Sequence, residues 1–254
     1  MKRITALFIM LAVILVFSFS AFALTAEEAH EKFIYPIVRI TYGSGGGSGT
    51  IIHSLEDGTY ILTNNHVISE AVRIVEEWDS EKQEEVKKEK RSVVYVEIFK
   101  YRNISTPVGT LKVEADIVAY NEDEDMALLK LRLDELIPHV ACLTPKLEIA
   151  ELQVTDKTIA VGCSLLFPPL PSDGILTRKN FLINSLTFHM SSAQIIYGNS
   201  GGGMFNAETG EFIGIPSMVP IVGWGTPITH MGLFIPISRI YDWLEEIGHE
   251  ELIY

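Results

Sequence analysis

Residues 197–206 read YGNSGGGMFN and place a single serine, Ser200, between glycines on both sides. Glycine has no side chain to bury and loses more backbone entropy on folding than any other residue. Four glycines around one hydroxyl therefore indicate a loop whose main chain must follow an unusual path close to Ser200.

The residues around Ser200 also satisfy G-x-S-x-G, the nucleophile elbow of α/β-hydrolases, so an esterase or lipase is one hypothesis. In that fold the acid and then the histidine follow the serine. Here the residues after Ser200 offer one aspartate, Asp242, with His230 and His249. The glycine-rich segment after Ser200 is also unsuited to the helix that the elbow requires.

A histidine and an aspartate upstream offer a different arrangement. His66 ends the strand-like segment TYILTNNH, and Asp125 lies where the acidic NEDED turns into the apolar MALLKL. Asp123 is the nearest rival acid, but the apolar run begins directly after Asp125. The order His66, Asp125, Ser200 is that of the chymotrypsin-type triad and differs from the subtilisin and α/β-hydrolase orders.

From Phe33 onwards, short apolar or alternating runs separated by turn signals predict antiparallel β-structure in place of βαβ units. Asp57-Gly58 is a hairpin signal. GSGGGSG at 43–49 is interpreted as a flexible glycine turn leading into the strand SGTII. The charged segment 76–91 is predicted to be a solvated hairpin or short helix.

Near the C-terminus, the segment ISRIYDWLEEIG predicts a helix over 237–248. Its start is assigned to a Ser238 cap, and its end to Gly248. One face is apolar. That face carries Ile237, Ile240, Tyr241, Leu244 and Ile247.

LTNNHVI, EDMALLKL and GNSGGG, in this order, closely resemble the three signature blocks of trypsin-like serine proteases. The flanking segments GSGGGSGTII, EFIGI and GLFIPI are most similar to the HtrA-type (Deg) branch. The resemblance runs over 33–248 and implies an all-β protease domain, 24–248, of two antiparallel six-stranded β-barrels with a C-terminal helix. The barrels are expected at about 33–135 and 150–236, with a tail at 249–254.

The resemblance also implies roles for individual residues. Ser200 would be the nucleophile, His66 the general base, and Asp125 the residue that orients the imidazole. The N–H groups of Gly198 and Ser200 would form the oxyanion hole. The implied activity is a secreted serine endopeptidase that cleaves extended or unfolded proteins through an acyl-enzyme, in protein quality control and without cofactor or metal.

The substrate pocket is assigned by similarity to Gln194 near its base, with Ser217, Met218 and Gly232 along its walls. None is acidic, so an uncharged, aliphatic substrate side chain is expected. Tyr197 and Gly203 stand where most relatives have proline. No PDZ domain is expected after the helix, so recognition of partner C-termini is not implied. A non-catalytic binding protein of chymotrypsin fold is the other alternative, against which the three occupied triad positions argue.

Composition and the N-terminal segment bear on location and partners. Residues 1–23 have the basic start, apolar stretch and small-residue end of a secretory signal, although 4–24 is also long enough for an uncleaved membrane anchor. We therefore expect export to a periplasm or the medium. The formal net charge of −13 disfavours nucleic acid as a partner; oligomerisation stays open, as does pairing of Cys142 with Cys163.

Overall fold

The structure, a computed structural model, describes residues 24–80 and 83–253, so the predicted secretory signal lies outside the described residues. The described chain begins with a short helix, α1 (Ala26–Ala29), continued by a π-helical turn, His30–Ile34. Thr25 and Glu28 cap α1 reciprocally, each side chain accepting the other's main-chain N–H. None of the described helices has the length and apolarity to span a bilayer.

The first half of the chain forms a closed barrel. The strands of this half are β1 (Ile37–Tyr42), β2 (Gly45–Leu55), β3 (Gly58–Thr63), β4 (Val72–Asp79), β5 (Glu84–Arg91), β6 (Val94–Arg102), β7 (Thr106–Asn121) and β8 (Met126–Leu131). The barrel order is β1-β2-β3-β8-β7-β6, and every pairing is antiparallel. A short helix, α2 (Asn65–Ile68), follows β3. The hairpin predicted at Asp57-Gly58 joins β2 to β3, where Leu55 pairs with Gly58.

The second half closes another barrel of six strands. The strands of this half are β9 (Lys157–Gly162), β10 (Leu170–Ile183), β11 (Leu186–Ser191), β12 (Gly203–Asn206), β13 (Phe212–Met218), β14 (Ile221–Val222), β15 (Thr226–Pro227) and β16 (Gly232–Pro236). β14 and β15 pair with each other as a separate two-stranded sheet outside the barrel. The order is β10-β11-β16-β13-β12-β9, again antiparallel throughout. The predicted all-β fold class is confirmed.

Both barrels contribute to one hydrophobic cluster. Leu62 and Met126 of the first barrel belong to the same buried group as Phe205 and Phe212 of the second. All four side chains are fully buried. Because side chains in such a cluster are closely packed, a shift of one barrel at this contact would also displace side chains of the other.

In the glycine-rich segment 43–49, Gly43 and Ser44 form the turn, but residues 45–49 are strand and not part of the flexible turn that we expected. β2 begins at Gly45, which pairs with Tyr42 of β1. A Cβ on Gly49 would lie 2.6 Å from the side chain of Ile61 and 2.7 Å from that of Ile40. Glycine is therefore required here by close approach inside the barrel, and not by flexibility.

The charged segment forms the hairpin alternative of our prediction. β4 and β5 pair over their whole length as a separate two-stranded sheet. Cross-strand ion pairs join Glu77 to Lys88 and Lys90 on this hairpin. Exposed ion pairs contribute little to stability, so the charges serve mainly to keep the hairpin solvated.

The C-terminal helix, α3, spans Ile237–Glu246 and buries Ile240 and Leu244 completely. Its N-cap is Pro236, without a side-chain cap, so Ser238 lies inside the helix and the predicted Ser238 cap is wrong. Residues 249–254, expected as a tail, include a 3₁₀ turn, Glu250–Ile253, with Leu252 buried. Burial of Leu252 therefore holds the C-terminal residues against the domain.

Both cysteines are free: Cys142 is exposed and Cys163 is fully buried. Burial raises the pKa of the Cys163 thiol to about 12. Partial burial and the nearby Glu211 raise the pKa of Cys142 as well. Neither thiol is poised as a thiolate at neutral pH.

We expect one of the two thiols to react with a disulfide reagent at pH 8 in the folded protein, and both to react in denaturant. The thiolate is the reactive form, and the Cys163 thiolate is both inaccessible and disfavoured. Thiol titration of the native protein measures this, with Cys142→Ser as the control that should leave no reactive thiol. Two thiols reacting in the native state at similar rates would contradict the placement of Cys163.

Candidate active site

His66 is held at the mouth of a cleft by the first turn after β3. Its neighbours Val67 and Ile68 are buried and anchor α2, while the imidazole is 49% exposed. The imidazole Nδ1 lies 2.9 Å from Oδ1 and 3.0 Å from Oδ2 of Asp125, and the main-chain N–H of His66 donates to the same Oδ1. With the proton on Nδ1, Nε2 is left as an acceptor.

Asp125 lies in an unusual backbone conformation directly before β8. Its φ of +54° is in the left-handed region, which costs a residue other than glycine about 1 kcal/mol or more. The amide of Asn64 donates to the Asp125 carbonyl at 2.9 Å, and the hydroxyl of Ser217 donates to Oδ2 at 2.7 Å. These contacts fix both the main chain and the carboxylate plane of Asp125.

Ser200 lines the same cleft as His66. The structure therefore brings the three predicted triad residues to one site, with His66 and Asp125 hydrogen-bonded. In the described part of the chain the Ser200 hydroxyl makes no hydrogen bond. Such catalytic bonds are often long without substrate and shorten when substrate binds.

The main chain before Ser200 forms a tight turn. Asn199 N–H donates to the Ile196 carbonyl at 3.0 Å, and Gly198 has φ +96°, as the third position of a type II turn demands. The carbonyl of Tyr197 accepts the N–H of Leu165 at 2.7 Å. Because the Tyr197–Gly198 peptide is trans, the Gly198 N–H points to the opposite side.

This turn leaves two N–H groups free beside the serine hydroxyl. Within 24–80 and 83–253, neither Gly198 N–H nor Ser200 N–H has a hydrogen-bond acceptor. Two such donors can stabilise an oxyanion that forms at a carbonyl under attack. The arrangement is chemically suited to acyl transfer.

Residues 47–215 match the family model for a trypsin-like peptidase domain. The chain belongs to this family. It is 30% identical over 207 residues to a probable periplasmic serine endoprotease DegP-like of Hahella chejuensis and 27% identical over 196 residues to the periplasmic pH-dependent serine endoprotease DegQ of Escherichia coli. These matches cover 79% and 76% of the chain but only 35% of each relative. The chain thus spans about a third of the length of these relatives.

Solved structures of HtrA-type proteases share the fold. A structure titled HtrA-type protease AlgW with tripeptide aligns with a TM-score of 0.65 at 21% identity, over 89% of this chain and 64% of that one. A serine endoprotease from Yersinia pestis aligns with a TM-score of 0.61 at 22% identity, over 90% of this chain and 68% of that one. The resemblance to HtrA-type proteases inferred from the motifs is confirmed.

The cleft of this trypsin-like domain has a volume of about 390 Å³ and is lined mainly by apolar side chains. They are those of Ile195, Ile196, Tyr197, Met218, Val219, Ile221 and Pro227. Ser217 and Met218 line the cleft as expected from the sequence. Gln194 and Gly232 do not: Gln194 is exposed, and Gly232 is buried where a Cβ would lie 2.3 Å from the side chain of Ile195. Ile195 stands between Gly232 and the cleft.

Ser48 is a residue of the site that sequence reasoning missed. It is fully buried on β2 of the first barrel. Its hydroxyl donates to the Gly198 carbonyl at 2.6 Å and accepts the Cys163 N–H at 2.7 Å. Its main-chain N–H donates to the Ser200 carbonyl at 2.8 Å. A hydroxyl among small residues in GSGGGSG was the available signal, since the glycines let the barrels approach closely.

We expect Ser48→Ala to lower the free energy of unfolding by about 1–3 kcal/mol, because Gly198 C=O and Cys163 N–H would each lose a buried partner. The rate of any reaction at Ser200 should fall as well, since the turn at residues 196–199, which directs the Gly198 N–H, would be loosened. Urea unfolding measures the first effect.

Ser172→Ala is the matched control, because the Ser172 hydroxyl donates to the carbonyl of an exposed residue, Gln194, at 2.7 Å. Water can replace that bond, so the loss should be within about 0.5 kcal/mol. Equal losses for the two variants would contradict the role given to Ser48.

Proposed function

We propose that this protein is an exported serine endopeptidase that uses His66, Asp125 and Ser200 as its triad. The carrying observation is the His66–Asp125 hydrogen bond beside a serine flanked by two free N–H groups. Membership of the trypsin-like peptidase family supports the assignment, and DegP-like and DegQ relatives are named periplasmic serine endoproteases.

In the proposed reaction, Ser200 Oγ attacks the scissile carbonyl carbon while His66 Nε2 takes the hydroxyl proton. Asp125 accepts the hydrogen bond from Nδ1 and stabilises the imidazolium that forms. The carbonyl oxygen, now carrying the negative charge, accepts hydrogen bonds from Gly198 N–H and Ser200 N–H. The tetrahedral intermediate collapses to an acyl-enzyme as His66 gives its proton to the leaving amine, and water then repeats the sequence to release the acid.

Substrate recognition follows from the lining of the cleft. Ile195 and Met218 are apolar, and no acidic, lysine or arginine side chain lines the cleft in the described residues. A charged substrate side chain would lose its hydration there without gaining an ion-pair partner. The substrates would be extended or unfolded proteins cleaved after aliphatic residues, in keeping with a role in protein quality control outside the cytoplasm.

We expect a fluorophosphonate probe to label the purified protein on Ser200, and the protein to cleave an unfolded protein such as reduced casein. Ser200→Ala should abolish labelling and lower turnover by roughly a millionfold. His66→Ala should abolish labelling as well, because the hydroxyl loses its base. Mass mapping of the adduct and gel-based proteolysis measure both.

His139→Ala is a matched control and should keep full labelling, since the His139 ring packs at a tilt against Tyr35, with centroids 4.7 Å apart, and does not line the cleft. Absence of labelling in the wild type would contradict the triad, and labelling without any proteolysis would favour an esterase.

A peptide library should be cleaved after Val, Ile, Leu or Ala, with kcat/KM at least about tenfold higher than after charged residues, because the cleft cannot pair a buried charge. Ile195→Asp tests the wall directly, since a carboxylate in the cleft should bring cleavage after Lys or Arg. Preferred cleavage after charged residues by the wild type would contradict this assignment of the cleft.

A further inference from the structure

Glu124, the residue before the proposed triad acid Asp125, forms an ion pair with Arg239 of the C-terminal helix. The Arg239 guanidinium donates through Nε to Glu124 Oε2 at 2.9 Å, and its Nη2 also contacts that oxygen and, at 3.4 Å, the Glu124 carbonyl. Arg239 Nη1 donates to the Thr187 carbonyl of β11 at 3.0 Å. One side chain therefore ties α3 and the second barrel to the acid loop of the first.

The ion pair between Arg239 and Glu124 is well sheltered and geometrically constrained. The two side chains are 11% and 29% exposed, and the guanidinium lies over the ring of Phe188 at 4.9 Å. Nε and Nη2 share the same Glu124 oxygen while Nη1 binds a main-chain carbonyl, and these contacts together restrict the orientation of the guanidinium as well as its distance. Asp242 and Glu246 of α3 line the same small cavity, yet the guanidinium makes its hydrogen bonds to Glu124 and Thr187.

The ion pair between Arg239 and Glu124 lies next to the strained residue of the loop. Glu124 precedes Asp125, whose left-handed backbone must be maintained by its surroundings. Buried Asn64 and the cleft residue Ser217 donate to Asp125, and Glu124 N–H donates to the Asn121 side chain at 2.9 Å. Arg239 supplies the restraint from the second barrel and α3.

We propose that Arg239 and Glu124 are positioning residues that set the direction of the Asp125 carboxylate towards His66. This inference rests on the proposed function, because it assigns the pair a part in the reaction at Ser200. Neither side chain lines the cleft, so substrate binding does not depend on them. The pair makes the C-terminal helix part of the catalytic support.

Arg239→Met should lower kcat by about tenfold or more while KM stays within about twofold, because misplacing a catalytic group by about 1 Å can cost a hundredfold. Glu124→Gln, in a partly exposed loop, should lower kcat in the same direction with little change in folding. Arg239→Lys should recover part of the loss. The double variant should be no worse than Arg239→Met alone, since the two residues act as one unit.

Arg132→Met is the matched control, since Arg132 pairs with Asp116 and Glu114 on an exposed part of the first barrel. It should keep the wild-type kcat. A wild-type kcat in Arg239→Met, an equal loss in Arg132→Met, or additive losses in the double variant would overturn the proposal.

A second readout does not depend on turnover. The Nδ1–H proton of His66 resonates downfield while it is hydrogen-bonded to Asp125, so proton NMR of the whole protein reports the pair directly. We expect this resonance to move upfield or broaden in Arg239→Met and to stay in place in Arg132→Met. An unmoved resonance in Arg239→Met would overturn the positioning role even in a protein that cleaves nothing, whereas wild-type inactivity with the expected shift would sink only the proposed function.

Discussion

The buried hydroxyl of Ser48 on one barrel holds the main-chain turn before Ser200 on the other, and the geometry of the candidate site depends on that contact. His66 and Asp125 come from the first barrel and Ser200 from the second, so no single barrel contains all three residues of the proposed triad. Ser48 bonds to the main chain on both sides of Asn199. A Cβ on Gly201 would lie 2.2 Å from the Ser48 carbonyl oxygen. The glycines that cost backbone entropy therefore allow one barrel to fix the other's main chain.

The loop that carries Asp125 is also held in place by contacts with other elements of the fold. Asp125 adopts a left-handed backbone that few residues favour, and donors from three parts of the chain maintain it. Asn64 belongs to the histidine turn, Ser217 to the second barrel, and Arg239, through Glu124, to the C-terminal helix. Because each donor comes from a different element, the direction of the Asp125 carboxylate depends on how those elements are positioned relative to one another. Stability of the fold and geometry of the site are thus maintained by the same contacts.

The fold class could be predicted from the sequence, and so could the meeting of His66, Asp125 and Ser200 at one site. Strand patterns and the boundaries between strand and loop are local features that can be read from the sequence. The sequence was insufficient for Ser48, because GSGGGSG has the composition of a turn, and the close contacts that require its glycines, such as Gly49 with Ile61 and Gly47 with the Ser200 carbonyl, form only in the folded chain. The assignment of Gln194 and Gly232 to the substrate pocket rested on similarity alone and stays a prediction. Gln194 lies beyond the end of β11 and is exposed, whereas its neighbour Ile195 lines the cleft. Because this segment is not a strand, no alternation of side chains in the sequence indicates which of the two faces the cleft.

Tyr197 stands where most relatives have proline, and the structure shows what restrains the turn in place of that proline. Proline is favoured at the second position of a type II turn because its fixed φ restricts the unfolded chain. Tyr197 occupies that position with its side chain 76% exposed, so the ring contributes little packing. The restraint comes from its carbonyl, which accepts the N–H of Leu165. Leu165 itself has φ +51° and is also exposed. The direction of Gly198 N–H therefore depends on a hydrogen bond to a strained surface loop, and a shift of Leu165 would also move this N–H group of the proposed oxyanion hole.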